Sequence, residues 1–348
     1  MPEWRAYAKI NLSLEIIGRR RDGYHDVLTI LQTVDLYDSL SFELADKIVL
    51  ACNRPDLVKD ENLVLRAAHL LQRVTGQTKG AAIHLEKGIP VAAGLGGGSS
   101  DAATTLVALS QLWGLSMTEA NLQNLGAVLG SDVPFFMVGG TVLASERGQM
   151  LDPLPALPEH WVVIVRPALD IPDKTQLMYS NITPREYTTG TVTRRMARMI
   201  REQHCLEPGL IFNAFEWIAF QRFERIDETR QHAVDAGADY VRLCGAGPSL
   251  YAIYPEEAPA RDVYERLRAA GQEVYVARTL SVRPAALAPV PPASLPLSHK
   301  GEEPEKAARR SRTKSGGEVQ RPKKKRERKK PALAPDCPGQ GAEGAADC

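Results

Sequence analysis

The stretch VAAGLGGGSSDAA, residues 91–103, combines glycines and hydroxyl side chains in a pattern that suits an anion. Its four glycines allow positive φ and let backbone N–H groups approach a ligand closely. Apolar residues with helical spacing follow from Ala102, so the glycines lie between a predicted strand and a predicted helix. A helix start carries a partial positive charge and unpaired N–H groups. The stretch therefore predicts a phosphate-binding loop, in which Ser99 and Ser100 cap the helix or donate hydroxyls to phosphate.

This loop lacks the signatures of two common nucleotide sites. No lysine follows the last glycine, as it would in a P-loop, and the acid that marks a dinucleotide site is also missing. The charge of a triphosphate must then be balanced by a metal or by a lysine from another strand. Lys9 is a candidate, because apolar and polar residues alternate over residues 6–16 and place Lys9, Asn11 and Ser13 on one face of a strand. By residue type alone, a solvated strand lysine is the default interpretation of Lys9, which the polar neighbours Asn11 and Ser13 on the same face weaken.

Other side chains near these segments have two interpretations each. Lys87 precedes the loop and suits either a nucleotide contact or the protein surface. Asp101 follows the serines and suits either the helix dipole or Mg²⁺. Asp132, in the sequence GSDVP, has the chemistry of a turn or a helix cap as well as of a general base.

Composition indicates a cytoplasmic protein of enzyme size. The 348 residues carry a net charge of +1, but 14 Lys/Arg and 8 Asp/Glu lie from Ala285 onward, so the rest is mildly acidic. The five cysteines show no metal-binding spacing, which favours free thiols in a reducing compartment. No apolar run approaches the ~20 residues of a membrane span, and the N-terminal residues lack a secretory signal.

The pattern of strands and helices that would position these side chains predicts an α+β fold. Two βαβ-like pieces with additional helices predict a nucleotide-binding domain over residues 1–160 and an α/β sandwich over residues 161–283. Residues 284–348, rich in Pro/Ala and then in Lys/Arg, predict a disordered tail. In detail we expect strands at 27–34, 39–44 and 81–85, helices at 210–223 and 226–236, and a capping box from Ser116 to Glu119.

Five separated motifs resemble the GHMP kinases, which include galactokinase and the homoserine, mevalonate and phosphomevalonate kinases. In chain order the motifs are AKINLSLEIIGRRRDGYHDV, PVAAGLGGGSSDAA, GSDVPFFMVGGT, NAFEWIAF and LCGAGPSLYA. The first motif is most similar to one branch, the kinases that act on 4-diphosphocytidyl-2-C-methyl-D-erythritol. The resemblance spans about residues 5–280 and leaves the tail outside.

The resemblance implies a two-domain fold with a ferredoxin-like C-terminal domain, and an activity. That activity is ATP-dependent phosphorylation of the 2-hydroxyl of 4-diphosphocytidyl-2-C-methyl-D-erythritol, with Mg²⁺, in the non-mevalonate route to isoprenoid precursors. It also implies a catalytic pair, Lys9 and Asp132, and a set of substrate-binding residues, Asn11, Tyr24 and His25. A second aromatic ring on the cytosine would come from Tyr179 or Tyr187. The implied ATP-binding residues are Lys87, Pro90, Val91, Ala92, Ala93, Gly94, Leu95, Gly96, Gly97, Gly98, Ser99, Ser100, Gly245 and Gly247.

Two alternatives remain open at this point. Another GHMP kinase, of the homoserine or phosphomevalonate type, is one, although the RRRDGYH segment suits a substrate that carries a base. A nucleic-acid-binding protein that uses the basic block Arg321–Lys330 is the other, although no aromatic residues accompany that block. We expect a small-molecule substrate rather than a membrane or nucleic-acid partner, and the sequence carries no signal for an oligomeric state.

Overall fold

Two β-sheets flanked by helices make up the protein, which we describe from a computed structural model covering residues 3–280. The predicted tail, residues 284–348, lies outside the described residues. The strands are β1 (Trp4–Arg19), β2 (His25–Ala45), β3 (Val49–Cys52), β4 (Gly80–Glu86), β5 (Thr141–Glu146), β6 (Met150–Pro153), β7 (Trp161–Arg166), β8 (Phe212–Asn213), β9 (Arg242–Leu243), β10 (Leu250–Tyr254) and β11 (Glu273–Arg278). The helices are α1 (Leu63–Thr75), α2 (Gly97–Leu112), α3 (Glu119–Leu129), α4 (Val133–Val138), α5 (Lys174–Ser180), α6 (Thr191–Gln203), α7 (Glu216–Arg222), α8 (Glu224–Asp235) and α9 (Glu257–Ala269). Short 3₁₀ turns occur at Pro55–Leu57 and Pro208–Leu210.

The first sheet is built around the long antiparallel pair of β1 and β2. Its strand order is β3-β4-β2-β1-β8, and β5 and β6 extend it from the other end of β2. The sequence predicted two strands where β2 is continuous. The pairing with β1 shifts between Tyr7 and Ala8, which face Tyr37 and Val34, so residues 35 and 36 form a bulge. The break expected between residues 34 and 39 is therefore a bulge within one strand.

Helix α2 packs against β1 and β2 and is covered on its other sides by α1, α3 and α4. Every residue from Ser100 to Ser110 is buried. The small side chains of Ala102 and Ala103 allow this close approach, and both are fully buried in the same apolar cluster as Leu40 and Ile83. The helix that follows the glycine loop is thus a fixed internal element.

The second sheet has the order β11-β7-β10-β9 and is antiparallel throughout. It shares its core with the first sheet, because Ile10 and Leu12 lie in one apolar cluster with Val162 and Ile164. Strand β8 also pairs in parallel with β1 of the first sheet. Residues 3–280 consequently form one compact unit, and the predicted domain boundary after residue 160 stays a prediction.

Two local predictions are wrong. The capping box of α3 joins Thr118 and Asn121 rather than Ser116 and Glu119, because the helix begins two residues later than expected. The helix predicted over 210–223 begins at Glu216, and the preceding Phe212–Asn213 is strand β8. Within residues 3–280, no helix combines the length and the apolarity needed to cross a membrane.

Candidate active site

Lys9 lies inside the protein on β1, with only 4% of its surface exposed. Its Nζ donates to Asn11 Oδ1 at 2.7 Å, and Asn11 Nδ2 in turn donates to Thr29 Oγ1 at 2.8 Å. Burying an ammonium is costly unless it is hydrogen-bonded or paired. Here the side chain two residues along the same face of β1 supplies the hydrogen bond, so the ammonium has a fixed position.

The glycine loop runs alongside Lys9 and ends in α2. The Lys9 N–H donates to the carbonyl of Leu95 at 2.9 Å, which ties the loop to β1. Gly94 and Gly96 have φ of +85° and +75°, the left-handed conformation that favours glycine. A Cβ on Gly96 would lie 3.1 Å from Lys9 Cγ and 2.5 Å from Phe136 Cζ. The loop therefore packs directly on the lysine.

Gly96 is the N-cap of α2 and makes no side-chain cap, so the first N–H groups of the helix remain for another acceptor. Of the two roles expected for Ser99 and Ser100, helix capping is wrong, and donation of hydroxyls to phosphate stays a prediction. Both serines already lie within its first turns, since the left-handed glycine starts the helix earlier. Of the remaining predicted phosphate-loop residues, Pro90 to Gly96 lie in the connection from β4 to α2, and Gly97 and Gly98 are the first two residues of the helix.

The second glycine motif, Cys244–Ser249, meets the first loop. A Cβ on Gly94 would lie 2.0 Å from the carbonyl oxygen of Cys244. A Cβ on Gly245 would lie 3.1 Å from Lys9 Nζ. Asn213 Nδ2 donates to the carbonyl of Gly245 at 2.8 Å, so the NAFEWIAF motif holds this loop in place. Two backbone segments and one buried ammonium thus come together at one point.

Asp132 completes this group from α4. Its Oδ2 lies 3.7 Å from Lys9 Nζ, and its side chain is 41% exposed, whereas that of Lys9 is 5% exposed. Asp132 occupies the N-cap position of α4, but its side chain makes no capping hydrogen bond. The carboxylate therefore stands beside the ammonium and faces outward, where a second molecule can reach it.

Lys87 lies beneath the same loop with two buried carboxylates. Its Nζ contacts Asp38 Oδ2 at 2.5 Å and Asp101 Oδ2 at 2.8 Å. Asp38 Oδ1 also accepts from the N–H groups of Gly88 and Ile89, at 2.7 and 2.8 Å. Burial, and then the neighbouring Asp38 charge, raise the pKa of Asp101 well above its usual value. The surface interpretation of Lys87 is wrong, because its side chain is 7% exposed, and the nucleotide contact stays a prediction. The pairing joins β2, α2 and the segment after β4 below the loop.

Aromatic side chains gather at the other end of the β1–β2 hairpin. Tyr24 lies in the turn, is 56% exposed, and has the Arg147 guanidinium 4.5 Å from its ring centroid. The His25 ring stacks on Tyr179, with centroids 5.2 Å apart and an angle of 23°, whereas Tyr187 meets it edge-on at 6.1 Å. Burial, and then the charge of Asp132, raise the pKa of Tyr179. Tyr179 thus contacts His25 by stacking and is close enough to Asp132 for that charge to act on its hydroxyl.

Sequence reasoning missed two polar residues at this site. Lys174 begins α5, a helix that no pattern predicted, and donates to the carbonyls of Ala92 and Gly247. Asp38 lies on β2, where nothing in its neighbourhood marks it as a partner of Lys87. The sequence carried no signal for either residue, since Asp38 falls between two predicted strands and Lys174 lies where no element was predicted.

Two family models match this chain. The GHMP kinases N terminal domain matches residues 62–140 and the GHMP kinases C terminal domain matches residues 193–273. A 4-diphosphocytidyl-2-C-methyl-D-erythritol kinase from Dehalococcoides mccartyi is 40% identical over 276 residues, which cover 79% of this chain and 97% of the relative. The chain belongs to the GHMP kinase family, in the branch of this relative. The resemblance carried by the five motifs is confirmed.

Other relatives place this GHMP kinase in the same branch. The enzyme of that name from Pelotomaculum thermopropionicum is 38% identical over 80% of this chain and 98% of its own length. A crystal structure of a 4-(cytidine 5'-diphospho)-2C-methyl-D-erythritol kinase is 34% identical, with a TM-score of 0.68 over 80% of this chain and 98% of the other. Homoserine kinase from Cytophaga hutchinsonii, at 18% identity and a TM-score of 0.60 over 81% of this chain and 95% of its own, shares the fold. The predicted α+β, two-domain GHMP kinase architecture is confirmed.

Proposed function

We propose that this GHMP kinase transfers the γ-phosphate of ATP to the 2-hydroxyl of 4-diphosphocytidyl-2-C-methyl-D-erythritol. The observation that carries the proposal is the 3.7 Å pair of Lys9 and Asp132 beside the glycine loop. The relatives that share this fold over nearly their whole length are phosphotransferases of that name. The reaction would serve the non-mevalonate route to isoprenoid precursors, in the cytoplasm.

The backbone would bind the nucleotide. N–H groups at the start of α2, which lack a side-chain cap, face the place where the β- and γ-phosphates would lie. Gly245 and Gly247 would close the other side of that place, because Gly94 already contacts their loop. Phosphoryl transfer depends on positioning and on screening of charge, so a rigid loop between two buried elements suits the reaction.

The two charged side chains would carry the transfer itself. Asp132 accepts the proton of the substrate hydroxyl while the oxygen of that hydroxyl forms a bond to the γ-phosphorus. The bond from that phosphorus to the β–γ bridging oxygen breaks, and ADP leaves. Lys9 stabilises the negative charge on the transferring phosphoryl group, and its hydrogen bond to Asn11 fixes it for this task.

Mg²⁺ belongs to the proposal as the partner of the nucleotide phosphates. Mg²⁺ usually keeps several waters and takes one or two protein oxygens besides the phosphates. Within residues 3–280 no cluster of three or more acidic, His or Cys side chains forms a dedicated metal site. Among the described residues no hydrogen-bond partner meets the buried Asp101 Oδ1, and Asp101 directly follows Ser99 and Ser100 in the chain, so this oxygen fits the limited role. The ion would supply further neutralisation of phosphate charge.

The aromatic group favours a substrate that carries a base. Tyr24, His25 and Tyr179 lie near the turn of the β1–β2 hairpin, and stacked rings bind bases at a gain of ~1–3 kcal/mol each. Homoserine and phosphomevalonate have no ring to place there. The nucleic-acid alternative rests on Arg321–Lys330, which lie outside the described residues.

A phosphoryl-transfer assay with three alcohols tests the proposal. ATP and the purified full chain are incubated with 4-diphosphocytidyl-2-C-methyl-D-erythritol, homoserine or phosphomevalonate, and the phosphorylated product is identified by ³¹P NMR. We expect a product from the cytidyl compound alone. A product from homoserine or phosphomevalonate, with none from the cytidyl compound, contradicts the assignment.

A further inference from the structure

Lys174 is an ammonium at the contact between the two glycine loops. Its Nζ donates to the carbonyl of Ala92, in the first loop, at 2.8 Å and to the carbonyl of Gly247, in the second. The same two loops touch at Gly94, whose Cβ position lies 2.8 Å from the Gly247 oxygen. Lys174 therefore stands at the place where the nucleotide phosphates are proposed to bind.

The charge of Lys174 is not balanced by an acid. Both of its hydrogen-bond acceptors are neutral carbonyls, and no carboxylate of residues 3–280 forms an ion pair with it. The charged groups that act on it are Lys9 and Arg166, both cations, together with the Cys244 thiol. Burial raises the pKa of that thiol to about 12, so it stays neutral near pH 8. A half-buried cation among cations is stabilised by an arriving anion.

We propose that Lys174 supplies the positive charge that this loop lacks in sequence and binds the terminal phosphates of ATP. This inference rests on the proposed use of ATP. It assigns to the first residue of α5 the task that a P-loop gives to the lysine after its last glycine. The two carbonyl contacts hold the ammonium in place before the nucleotide arrives.

If Lys174 binds phosphate, the affinity for nucleotide depends on pH through the protonation of this lysine. Burial, and then the charge of Lys9, lower the pKa of Lys174 to about 8 in the free protein. Phosphates favour the protonated amine, so nucleotide binding raises this pKa and takes up protons. Above about pH 8 the free protein must first gain that proton, and the affinity for nucleotide falls.

Calorimetry with a non-hydrolysable ATP analogue and Mg²⁺ measures both effects without turnover. We expect Lys174→Gln to lower the affinity at pH 7 by about tenfold or more, since a charged hydrogen bond to phosphate is lost. Adenosine, which has no phosphates, should bind Lys174→Gln and the wild type alike. Titrations at pH 8 in buffers of different ionisation enthalpy measure the number of protons taken up on binding of the analogue. We expect this number to be about half a proton larger for the wild type than for Lys174→Arg.

The controls separate charge from folding. Lys79→Gln removes a lysine at the far end of β4 from Lys87, and it should bind the analogue as the wild type does. Thermal unfolding checks each variant, and if Lys174→Gln is unfolded, the proton uptake of the wild type beyond that of Lys174→Arg decides the question.

The outcomes are distinct. Equal affinity of Lys174→Gln and wild type for the analogue, equal losses for analogue and adenosine, or no excess proton uptake at pH 8 overturns the inference alone. Absence of any binding of the analogue to the wild type overturns the proposed function and this inference with it.

Discussion

Lys9 shows how a charged side chain can be kept inside a protein for chemistry. An exposed lysine keeps its rotamer freedom, whereas Lys9 is 4% exposed and hydrogen-bonded to Asn11 at 2.7 Å. Ordering this side chain costs conformational entropy. Because the side chain is already ordered in the folded protein, substrate binding does not add this cost. Asp132, 3.7 Å away and 41% exposed, is the member of the pair that substrate can reach.

At the same scale, the His25 contacts distinguish the two tyrosines that the sequence left open. Tyr179 stacks on His25 and Tyr187 meets it edge-on. We expect Tyr179→Leu to raise KM for the cytidyl substrate by about 5- to 150-fold, which corresponds to one lost stacking interaction. Steady-state kinetics measure this, with Tyr179→Phe as the control that keeps the ring. A larger KM effect from Tyr187→Leu than from Tyr179→Leu would reverse the assignment.

Individual residues also show what sequence can predict of such a site. Lys9 and Asp132 were found because each lies in a motif, and the structure brings them together. The contacts of Lys87 with Asp38 and of Lys174 with Gly247 join residues 49 and 73 positions apart. No periodicity records such pairings, because they depend on how strands and loops from separate parts of the chain pack.

The sequence predicted some of the elements that form the site and missed others. The alternation over residues 6–16 predicted β1, and the glycines predicted a strand–loop–helix junction; both are present. Helix α5 was missed because its seven residues are too few for a clear period. The bulge at residues 35 and 36 was missed because a polar segment within a strand has the composition of a turn.

The interlocked glycine loops give a prediction at this scale. An alanine at Gly94 would place its Cβ 2.0 Å from the Cys244 oxygen, at a φ of +85°. We expect Gly94→Ala to lose at least about 1–3 kcal/mol of unfolding free energy from the backbone strain alone. Urea denaturation measures this loss.

Gly98→Ala is the matched control for that measurement. A Cβ at Gly98 meets its nearest atom, Leu63 Cδ1, at an ordinary 3.5 Å. Because alanine favours a helix over glycine, this variant should be as stable as the wild type or more stable, by up to about 1 kcal/mol. Equal stability of Gly94→Ala and Gly98→Ala would mean that the two loops are not in contact.

At the scale of the whole molecule, residues 3–280 share their apolar clusters between both sheets, so the site lies within one unit. The relative from Dehalococcoides mccartyi aligns over 276 residues that make up 97% of its own length. This kinase carries further residues beyond that alignment, among them the basic block. Nothing in the proposed chemistry requires them.

Truncation after Arg283 tests whether those residues are dispensable. We expect kcat/KM for the cytidyl substrate to stay within about twofold of the full chain, because the site contacts described above all join residues within 3–280. A truncated protein that remains folded but loses its phosphoryl-transfer activity would show that the basic segment takes part in the reaction.

The central claim is that Asp132 and Lys9, from different elements, act together on the substrate hydroxyl beside the glycine loop. A rapid-quench single-turnover measurement of phosphoryl transfer by Asp132→Asn tests it most directly, with Asp239→Asn, an exposed acid, as the control. We predict a transfer rate lowered by ~10²–10⁴ with unchanged ATP affinity, as expected when a general base is removed. A rate for Asp132→Asn equal to that of the wild type would contradict the account.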